Sequence, residues 1–412
     1  MGNCWYFRRI SSPASRLKLT LVGRTPGPQP MPSSAFWSGS QGDPRGELRS
    51  PDKLKHVPQK ARTPERVQGD PHEPRSEHGR PPQPVRNMLL PPLSRGAHPN
   101  PRGSWRIYVG MQATSTQWRQ IGKLQVSLTG LGCNNFGWRI DEAQSRRVVD
   151  AALDSGINFF DTADIYDKGH SEEFLGRALG KRRPEVVIAT KFGMKFDETH
   201  YRAKPEYVRQ AVEDSLRRLG TDYIDLYQIH QPDPDTPLAD TLGALEELKR
   251  AGKVREIGCS NFSAAQIQEA GGKFASVQNQ YSLFHREPEA EVLPECERQH
   301  IAFLPYFPLA NGLLTGKYRK GRPLPKGSRG DAGWGPKMFT EENLEKVERL
   351  IQFAEGHGHT LLELAFSWLA AIPVVASVIA GATTPEQVRA NASAASWPLT
   401  SDERAQIDKL MA

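Results

Sequence analysis

The run DEAQSRRVVDAALDSGINFFDT, residues 141–162, has the pattern of one helix followed by one buried strand. The helical part starts with two acidic residues, ends at Gly156 and places apolar side chains on one face, at Val148, Val149, Ala152 and Leu153. INFFDT, residues 157–162, is then a short apolar run typical of a strand inside a sheet. This run therefore predicts one unit of a sheet that is covered by helices.

Outward from this run, the same alternation extends from about Gln117 to the C-terminus. Residues 204–220 and 236–252 have similar helical patterns, and short β-branched runs stand between the helices. The predicted strands cover residues 127–133, 157–162, 185–192, 223–230, 254–260, 276–282, 301–307 and 375–381. Eight such repeats in about 300 residues predict an α/β fold of the (β/α)8, or TIM barrel, type.

Two features refine this fold prediction. A doubly wound sheet shares the alternation, but GLGCNNF after the first strand has Asn135 in place of the third glycine of the dinucleotide-binding fingerprint. The connection after the seventh strand is long and contains an extra predicted helix, residues 340–356. Connections of that length in compact domains commonly bind ligands.

Residues 1–110 differ in composition from the rest of the chain. They hold 18 of the 33 prolines, and their 18 Lys and Arg against 7 Asp and Glu give a net charge of +11. Because such a segment cannot bury a core, we predict a disordered, basic, Pro-rich extension over 1–110 and a barrel domain over 111–412. A nucleic-acid arm, a Pro-rich ligand and an acylated anchor are weaker interpretations, and the anchor motif has Tyr6 where Ser or Thr is required.

The remaining composition restricts the class of protein. The chain has no apolar run of about 18 residues and no apolar stretch of signal-peptide length near its start. Its four cysteines are far apart and form no CxxC pair. From residue 111 onward the net charge is −4, which argues against nucleic-acid binding. We therefore expect a cytoplasmic protein with no metal site and no membrane or nucleic-acid partner; the sequence does not predict its oligomeric state.

Polar side chains follow three consecutive predicted strands, at the end of the barrel where active sites of this fold lie. They are Asp161, Tyr166, Lys191 and His230. A tyrosine hydroxyl has a pKa near 10, so it transfers protons at neutral pH only where a nearby positive charge stabilises its phenolate. Lys191 can supply that charge, a carboxylate at Asp161 can hold Lys191, and His230 can donate a hydrogen bond to a substrate oxygen. This set predicts proton transfer to a carbonyl oxygen.

Seven motifs extend the prediction to a family. DTADIY, IATKFG, LYQIHQPDP, GKVREIGCSNF, QNQYSLF, LTGKY and GATTPEQVRAN occur in the order and spacing of aldo-keto reductases, so residues 117–412 resemble that family. The resemblance implies that Asp161, Tyr166, Lys191 and His230 are the catalytic tetrad, with Tyr166 as general acid. It also implies hydride transfer from a nicotinamide cofactor, NADPH or alternatively NADH, to a small aldehyde or ketone.

The resemblance further assigns residues that would bind the cofactor. Those expected to contact the nicotinamide, the phosphates and the adenosine are Ser260, Asn261, Gln280, Tyr306, Leu309, Gly312, Lys317, Arg329, Gly381, Thr383, Gln387 and Asn391. Three positions depart from the family pattern: Phe307 replaces a common Ser, Ala380 a common Pro, and Gln387 an Arg that binds the 2′-phosphate in some members. A neutral amide loses a charge-assisted bond, which weakens the prediction of NADPH over NADH unless Arg329 or Arg389 compensates.

The substrate pocket and an alternative function complete the predictions. Trp138, Phe192 and Trp334 are the expected pocket residues, because aromatic walls suit many carbonyl compounds. The motifs are also similar to the potassium-channel β-subunit branch of the family, so a cofactor-binding regulatory protein with little turnover is the alternative. We favour the enzyme because residues 1–110 contain no organised amphipathic or apolar element for binding a partner.

Overall fold

The computed structural model describes residues 118–194, 203–331 and 338–412. The predictions of disorder over 1–110 and of a pocket role for Trp334 lie outside these residues. Two sheets are present in the described chain. A hairpin of β1 (Trp118–Ile121) and β2 (Leu124–Ser127) precedes eight parallel strands, which are β3 (Thr129–Gly132), β4 (Phe159–Asp161), β5 (Val187–Phe192), β6 (Ile224–Ile229), β7 (Val254–Ser260), β8 (Ser276–Gln280), β9 (Ala302–Tyr306) and β10 (Val378–Gly381).

The eight parallel strands form the predicted TIM barrel. Strands β3 to β9 pair in chain order, and β10 pairs with β3. A parallel bridge between Phe303 and Val375 joins β9 to the segment before β10 and closes the sheet. The side chains of a closed parallel sheet alternate between its interior and the surrounding helices, so residues two apart on a strand point into the same space.

Ten helices are described. They are α1 (Glu142–Asp154), α2 (His170–Leu179), α3 (Pro205–Leu219), α4 (Leu238–Arg250), α5 (Ala264–Glu269), α6 (Val292–Gln299), α7 (Glu341–Gly356), α8 (Leu361–Ala370), α9 (Pro385–Ser393) and α10 (Ser401–Met411). The extra helix predicted after the seventh barrel strand is α7, and Thr340 caps its N-terminus. No helix in the described ranges is long and apolar enough to cross a membrane.

Two hydrophobic cores hold the fold. The larger lies between the strands and the helices and includes Ile188, Phe192 and Tyr227. The smaller lies inside the barrel and includes Val187, Ala189 and Leu226. Consecutive side chains on a strand point to opposite faces. Consecutive residues of β5, such as Val187 and Ile188, therefore belong to different cores.

The hairpin before the barrel was not predicted. The sequence analysis placed one strand over 127–133, whereas the structure ends β2 at Ser127 and begins β3 at Thr129. Ile121, Leu124 and Val126 of the hairpin pack into the interior core, beside the first residue of β5. The hairpin therefore covers one end of the barrel, and Asp161 and Lys191 lie at the other end.

Candidate active site

Lys191 and Asp161 form a buried ion pair at the carboxyl ends of adjacent strands. Asp161 is the last residue of β4, and Lys191 is the last residue but one of β5. The Lys191 ammonium donates to both Asp161 carboxylate oxygens at 2.7 Å and to the Thr162 carbonyl at 2.9 Å. Burial alone would lower the pKa of Lys191, but the Asp161 carboxylate and the Tyr166 hydroxyl together more than offset this and raise it. Lys191 is therefore a fixed positive charge inside the barrel.

Tyr166 lies beside this charge. Its ring centroid is 5.3 Å from the Lys191 ammonium, and the His230 ring meets it edge-on with the centroids 5.9 Å apart. Burial raises the pKa of Tyr166, and Lys191 opposes that rise without reversing it. The stabilising charge of Lys191 was expected from the sequence, but burial outweighs it and the net shift of the Tyr166 pKa is upward. Tyr166 consequently keeps its proton at neutral pH and can donate it.

His230 is a neutral imidazole next to the same lysine. It is buried, and burial followed by the Lys191 charge holds its pKa well below the ordinary value. Its backbone N–H donates to the Phe192 carbonyl at 2.7 Å, which fixes it at the end of β6. A neutral imidazole can donate one ring N–H to a substrate oxygen without acting as an acid.

Gln278, which was not predicted from the sequence, belongs to the same layer of side chains inside the barrel as Asp161. Its Nε2 donates to Asp161 Oδ1 at 2.9 Å, and the side chain is buried inside β8. Gln280 is two residues further along the strand, at its end, and is half-buried. Strand alternation places both side chains on the barrel side. Because Gln278 lies two residues before the strand end, the same alternation would have placed it beside Asp161.

A chain of hydrogen bonds runs from the tetrad to Tyr306. The Ser260 hydroxyl donates to the Gln278 carbonyl at 2.7 Å, and the Asn261 amide donates to the His230 carbonyl at 3.0 Å. The Tyr306 hydroxyl donates to Asn261 Oδ1 at 2.7 Å. Asn261 has a φ of +64°, a left-handed conformation that asparagine tolerates better than most residues. These bonds hold Ser260, Asn261 and Tyr306 together beside the tetrad.

The loop after β9 has an unusual backbone. Phe307, Ala310, Asn311 and Gly312 all have positive φ, and three of them carry a side chain that makes this conformation costly. Leu309 lies within this turn. A Cβ added to Gly312 would lie 3.7 Å from Lys317 Nζ, so the exposed Lys317 amine lies near that glycine. A strained turn beside a cation is the kind of backbone that anion-binding loops use.

Arg329, further along the same connection, is a largely enclosed cation. Burial lowers its pKa, and the neighbouring Arg139 guanidinium lowers it further. Among the described residues, no carboxylate forms an ion pair with Arg329. A desolvated guanidinium next to a second one is favourable for a bound anion.

The segment after β10 carries the remaining predicted cofactor residues. The Thr383 backbone N–H and hydroxyl both donate to Gln387 Oε1, at 2.8 and 3.1 Å, and Gly381 ends the strand before them. Asn391 is buried one turn further along α9. Arg389 on this helix lies 3.5 Å from the Glu386 carboxylate. Gln387 therefore folds back onto Thr383 instead of extending from the helix.

The model of the Aldo/keto reductase family matches residues 129–412. The chain belongs to this family. As an aldo/keto reductase it is an NAD(P)H-dependent oxidoreductase of carbonyl compounds, and its barrel is the fold that the sequence predicted.

Individual relatives agree with this assignment. The NADH-specific methylglyoxal reductase of Escherichia coli is 36% identical over 71% of this chain and 97% of its own. A probable voltage-gated potassium channel subunit beta of Arabidopsis thaliana is 34% identical over 68% of this chain and 90% of its own. The glycerol dehydrogenase structure from Gluconobacter oxydans has a TM-score of 0.65 and 33% identity, and it covers 72% of this chain and 96% of its own.

The residues present in this reductase fit a nicotinamide dinucleotide. Asn261 and Ser260 offer an amide and a hydroxyl beside the tetrad, which match the donor and acceptor of a carboxamide. The aromatic ring of Tyr306 is held next to them by its bond to Asn261. The strained turn at Gly312 and the cations Lys317 and Arg329 suit phosphate groups.

The predicted substrate pocket needs one correction. Phe192 is fully buried, stacks on Tyr227 with the centroids 4.7 Å apart, and belongs to the outer core. Because Lys191 points into the barrel, strand alternation turns its neighbour Phe192 toward the helices, so Phe192 does not line the pocket. Trp138 is exposed in the loop after β3, and the Arg139 guanidinium lies 5.7 Å from its ring centroid.

Proposed function

We propose that Tyr166 is the general acid of this reductase and that Asp161, Lys191 and His230 prepare it for that role. The observation that carries the proposal is that the Tyr166 ring lies beside both a neutral histidine and a buried ammonium group. The first can donate a hydrogen bond to the carbonyl oxygen of a substrate. The second stabilises the phenolate that remains after Tyr166 has donated its proton.

The proton movement follows from these charges. When bound, a reduced nicotinamide supplies the hydride that the carbonyl carbon accepts. As negative charge develops on the carbonyl oxygen, His230 stabilises it by a hydrogen bond and Tyr166 transfers its hydroxyl proton to it. Lys191 remains charged because Asp161 holds it, and Gln278 in turn holds Asp161. The products are an alcohol, an oxidised nicotinamide and a Tyr166 phenolate that solvent must reprotonate before the next turnover.

We assign the twelve predicted cofactor residues to three regions of the barrel mouth. Ser260, Asn261, Gln280 and Tyr306 would hold the nicotinamide, and Gln278 joins them in the layer below. The loop from Leu309 to Arg329 would hold the phosphates. The segment from Gly381 to Asn391 would hold the adenosine half, with Thr383 just before the N-terminus of α9.

NADPH is the cofactor we propose, with only modest discrimination against NADH. Gln387 is a neutral amide already engaged by Thr383, and Arg389 is near Glu386. Neither offers the free guanidinium that binds a 2′-phosphate most strongly. The Escherichia coli relative, an NADH-specific methylglyoxal reductase, supports the view that family membership alone does not determine this preference.

The Gln387→Arg variant tests this explanation of cofactor preference. We expect its affinity for NADPH relative to NADH to rise about tenfold, because a charge-assisted bond replaces a neutral one. Fluorescence titration of the variant with each cofactor measures the ratio. Arg389→Gln is the matched control and should leave the ratio unchanged; a fall in that control would identify Arg389 as the residue that binds the 2′-phosphate.

The substrates we propose are small aldehydes and ketones. Trp138 is an exposed aromatic side chain in the loop after β3, at the mouth of the barrel. The test is a titration of the full chain with NADPH and with NADH, followed by a panel of aldehydes and ketones monitored at the nicotinamide absorbance band. Cofactor oxidation that requires a carbonyl compound supports the reductase. Binding without turnover would support the regulatory alternative, and absence of binding would refute both.

A further inference from the structure

A second group of polar side chains lies on the outer side of the barrel wall, behind the turn that carries Tyr166. We call it the outer polar cluster; its members are Asp164, Glu172, Thr190, Tyr207 and Arg218. The Thr190 hydroxyl donates to Glu172 Oε1, and Arg218 Nε donates to Glu172 Oε2, both at 2.6 Å. Thr190 lies between Ala189 and Lys191 on β5, so strand alternation turns it away from the barrel interior.

Asp164 connects this cluster to the tetrad. It lies two residues before Tyr166, and its backbone N–H donates to the Lys191 carbonyl at 3.1 Å. Its carboxyl group accepts a long hydrogen bond, 3.5 Å, from the Tyr207 hydroxyl of α3. The residue is half-buried as a whole, but its Oδ1 atom is enclosed and has no hydrogen-bond partner in the described part of the chain.

Helix α3 also contacts the turn on the other side of Tyr166. Asp167, Lys168 and Gly169 follow Tyr166 with positive φ, so this segment is held in a left-handed conformation. A Cβ on Gly169 would lie 2.6 Å from Arg218 Cδ, so the Arg218 side chain packs directly on that glycine. Through Tyr207 and Arg218, one helix therefore contacts the turn both before and after the proposed general acid.

We propose that Asp164 is a positioning residue: its carboxyl group ties the turn to α3 through Tyr207 and thereby sets the position of the Tyr166 hydroxyl. This inference rests on the proposed role of Tyr166. A displacement of about 1 Å at a reacting group can lower a rate by about 100-fold. A contact made two residues from Tyr166 is therefore close enough to affect kcat.

The groups that face Asp164 are the Glu172 carboxylate from α2, Tyr207 and the Arg218 guanidinium from α3, and Tyr227 from β6. The Glu172 carboxylate favours the neutral form of Asp164, whereas the Arg218 charge and the hydrogen bond from Tyr207 favour the ionised form. Arg218 forms an ion pair with Glu172, and this limits how far the Arg218 charge lowers the pKa of Asp164. Burial, followed by the Glu172 charge, raises the pKa of Asp164 to about 8. At pH 7 the carboxyl group is thus protonated, and above pH 8 an ionised Asp164 would face another carboxylate.

The Asp164→Asn variant tests both statements, because asparagine keeps the shape of a neutral carboxyl group and cannot ionise. We expect kcat of the unchanged protein to fall as the pH rises through about 8, and we expect Asp164→Asn to retain its kcat at pH 7 and to lose this alkaline decline. Asp164→Ala should lower kcat about 10- to 100-fold, with little change in KM or cofactor affinity. Loss of activity at pH 7 in the asparagine variant equal to that in the alanine variant would overturn the proposal, as would an unaltered decline near pH 8.

Thermal unfolding is a second readout, independent of turnover. An unfolded aspartate ionises near pH 4, whereas Asp164 in the folded chain ionises at about 8, so this residue destabilises the folded protein progressively between these values. The Tm of Asp164→Asn should therefore exceed that of the unchanged protein by more at pH 8 than at pH 5. A difference independent of pH would refute the neutral carboxyl group. Retained turnover in Tyr166→Phe would refute the proposed general acid instead, whatever the Asp164 variants do.

Discussion

Replacement of Tyr166 by phenylalanine is expected to lower kcat by about 100- to 10,000-fold, the usual range for loss of a general acid. The ring remains between Lys191 and His230, so its packing is preserved while the transferable proton is removed. Affinity for the cofactor should change little, because the hydroxyl acts mainly in the transition state. Stopped-flow measurement of cofactor oxidation at saturating substrate determines kcat, and fluorescence titration determines the affinity.

Tyr223→Phe is the matched control for this experiment. Tyr223 precedes β6, at the end of the barrel opposite the tetrad, and its ring packs against the Arg255 guanidinium with the charge 4.0 Å from the centroid. The control should retain full turnover. Turnover of Tyr166→Phe at the rate of the unchanged protein would show that another group supplies the proton.

The Lys191→Met variant is expected to lose both activity and stability. Removal of the ammonium leaves the Asp161 carboxylate buried, with the Gln278 amide as a remaining side-chain donor. Breaking a buried ion pair from one side typically costs about 3–5 kcal/mol of unfolding free energy. The kcat should fall as well, because without Lys191 the pKa of Tyr166 rises further and its phenolate is less stable. Denaturant unfolding and steady-state turnover measure the two effects.

The double variant Asp161→Asn with Lys191→Met separates these effects. It removes the uncompensated charge, so much of the unfolding free energy should return, whereas kcat should stay low. The direction in which the unfolding free energy changes with pH follows from the pKa of Lys191. The folded pKa of Lys191 is raised, so its stabilising contribution is complete at neutral pH and is lost only as the pH rises through that raised value. Recovery of kcat in the double variant would contradict the role of Lys191.

The residues that we propose as catalytic could be selected from the sequence because they follow strand ends. In a TIM barrel those ends meet at one face, so Asp161, Lys191 and His230 could be expected from the sequence alone to lie together. Tyr166 could be added because it lies just beyond the same strand as Asp161. Their protonation states could not be predicted, because the pKa of Tyr166 depends on burial as well as on Lys191.

Two errors came from the same source. Phe192 was placed in the pocket because aromatic walls suit many carbonyl compounds, and Gln278 was not selected although Gln280 was. Both depend on which face of a strand a side chain occupies, and a buried parallel strand is apolar on both faces, so its composition does not show the difference. In the folded barrel Val187 lies in the inner core and Ile188 in the outer core, which shows the face of β5 that each side chain occupies.

Local chemistry along the chain was enough to predict eight strand and helix repeats, the extra helix α7 and the family. Helix caps, apolar periodicity and short motifs are properties of neighbouring residues, so they are visible before folding. The hairpin that covers the opposite end of the barrel, the bond from Gln278 to Asp161 and the contact of α3 with the Tyr166 turn arise only when distant segments meet. They depend on burial and on partners far apart in the chain, and so only the folded barrel reveals them.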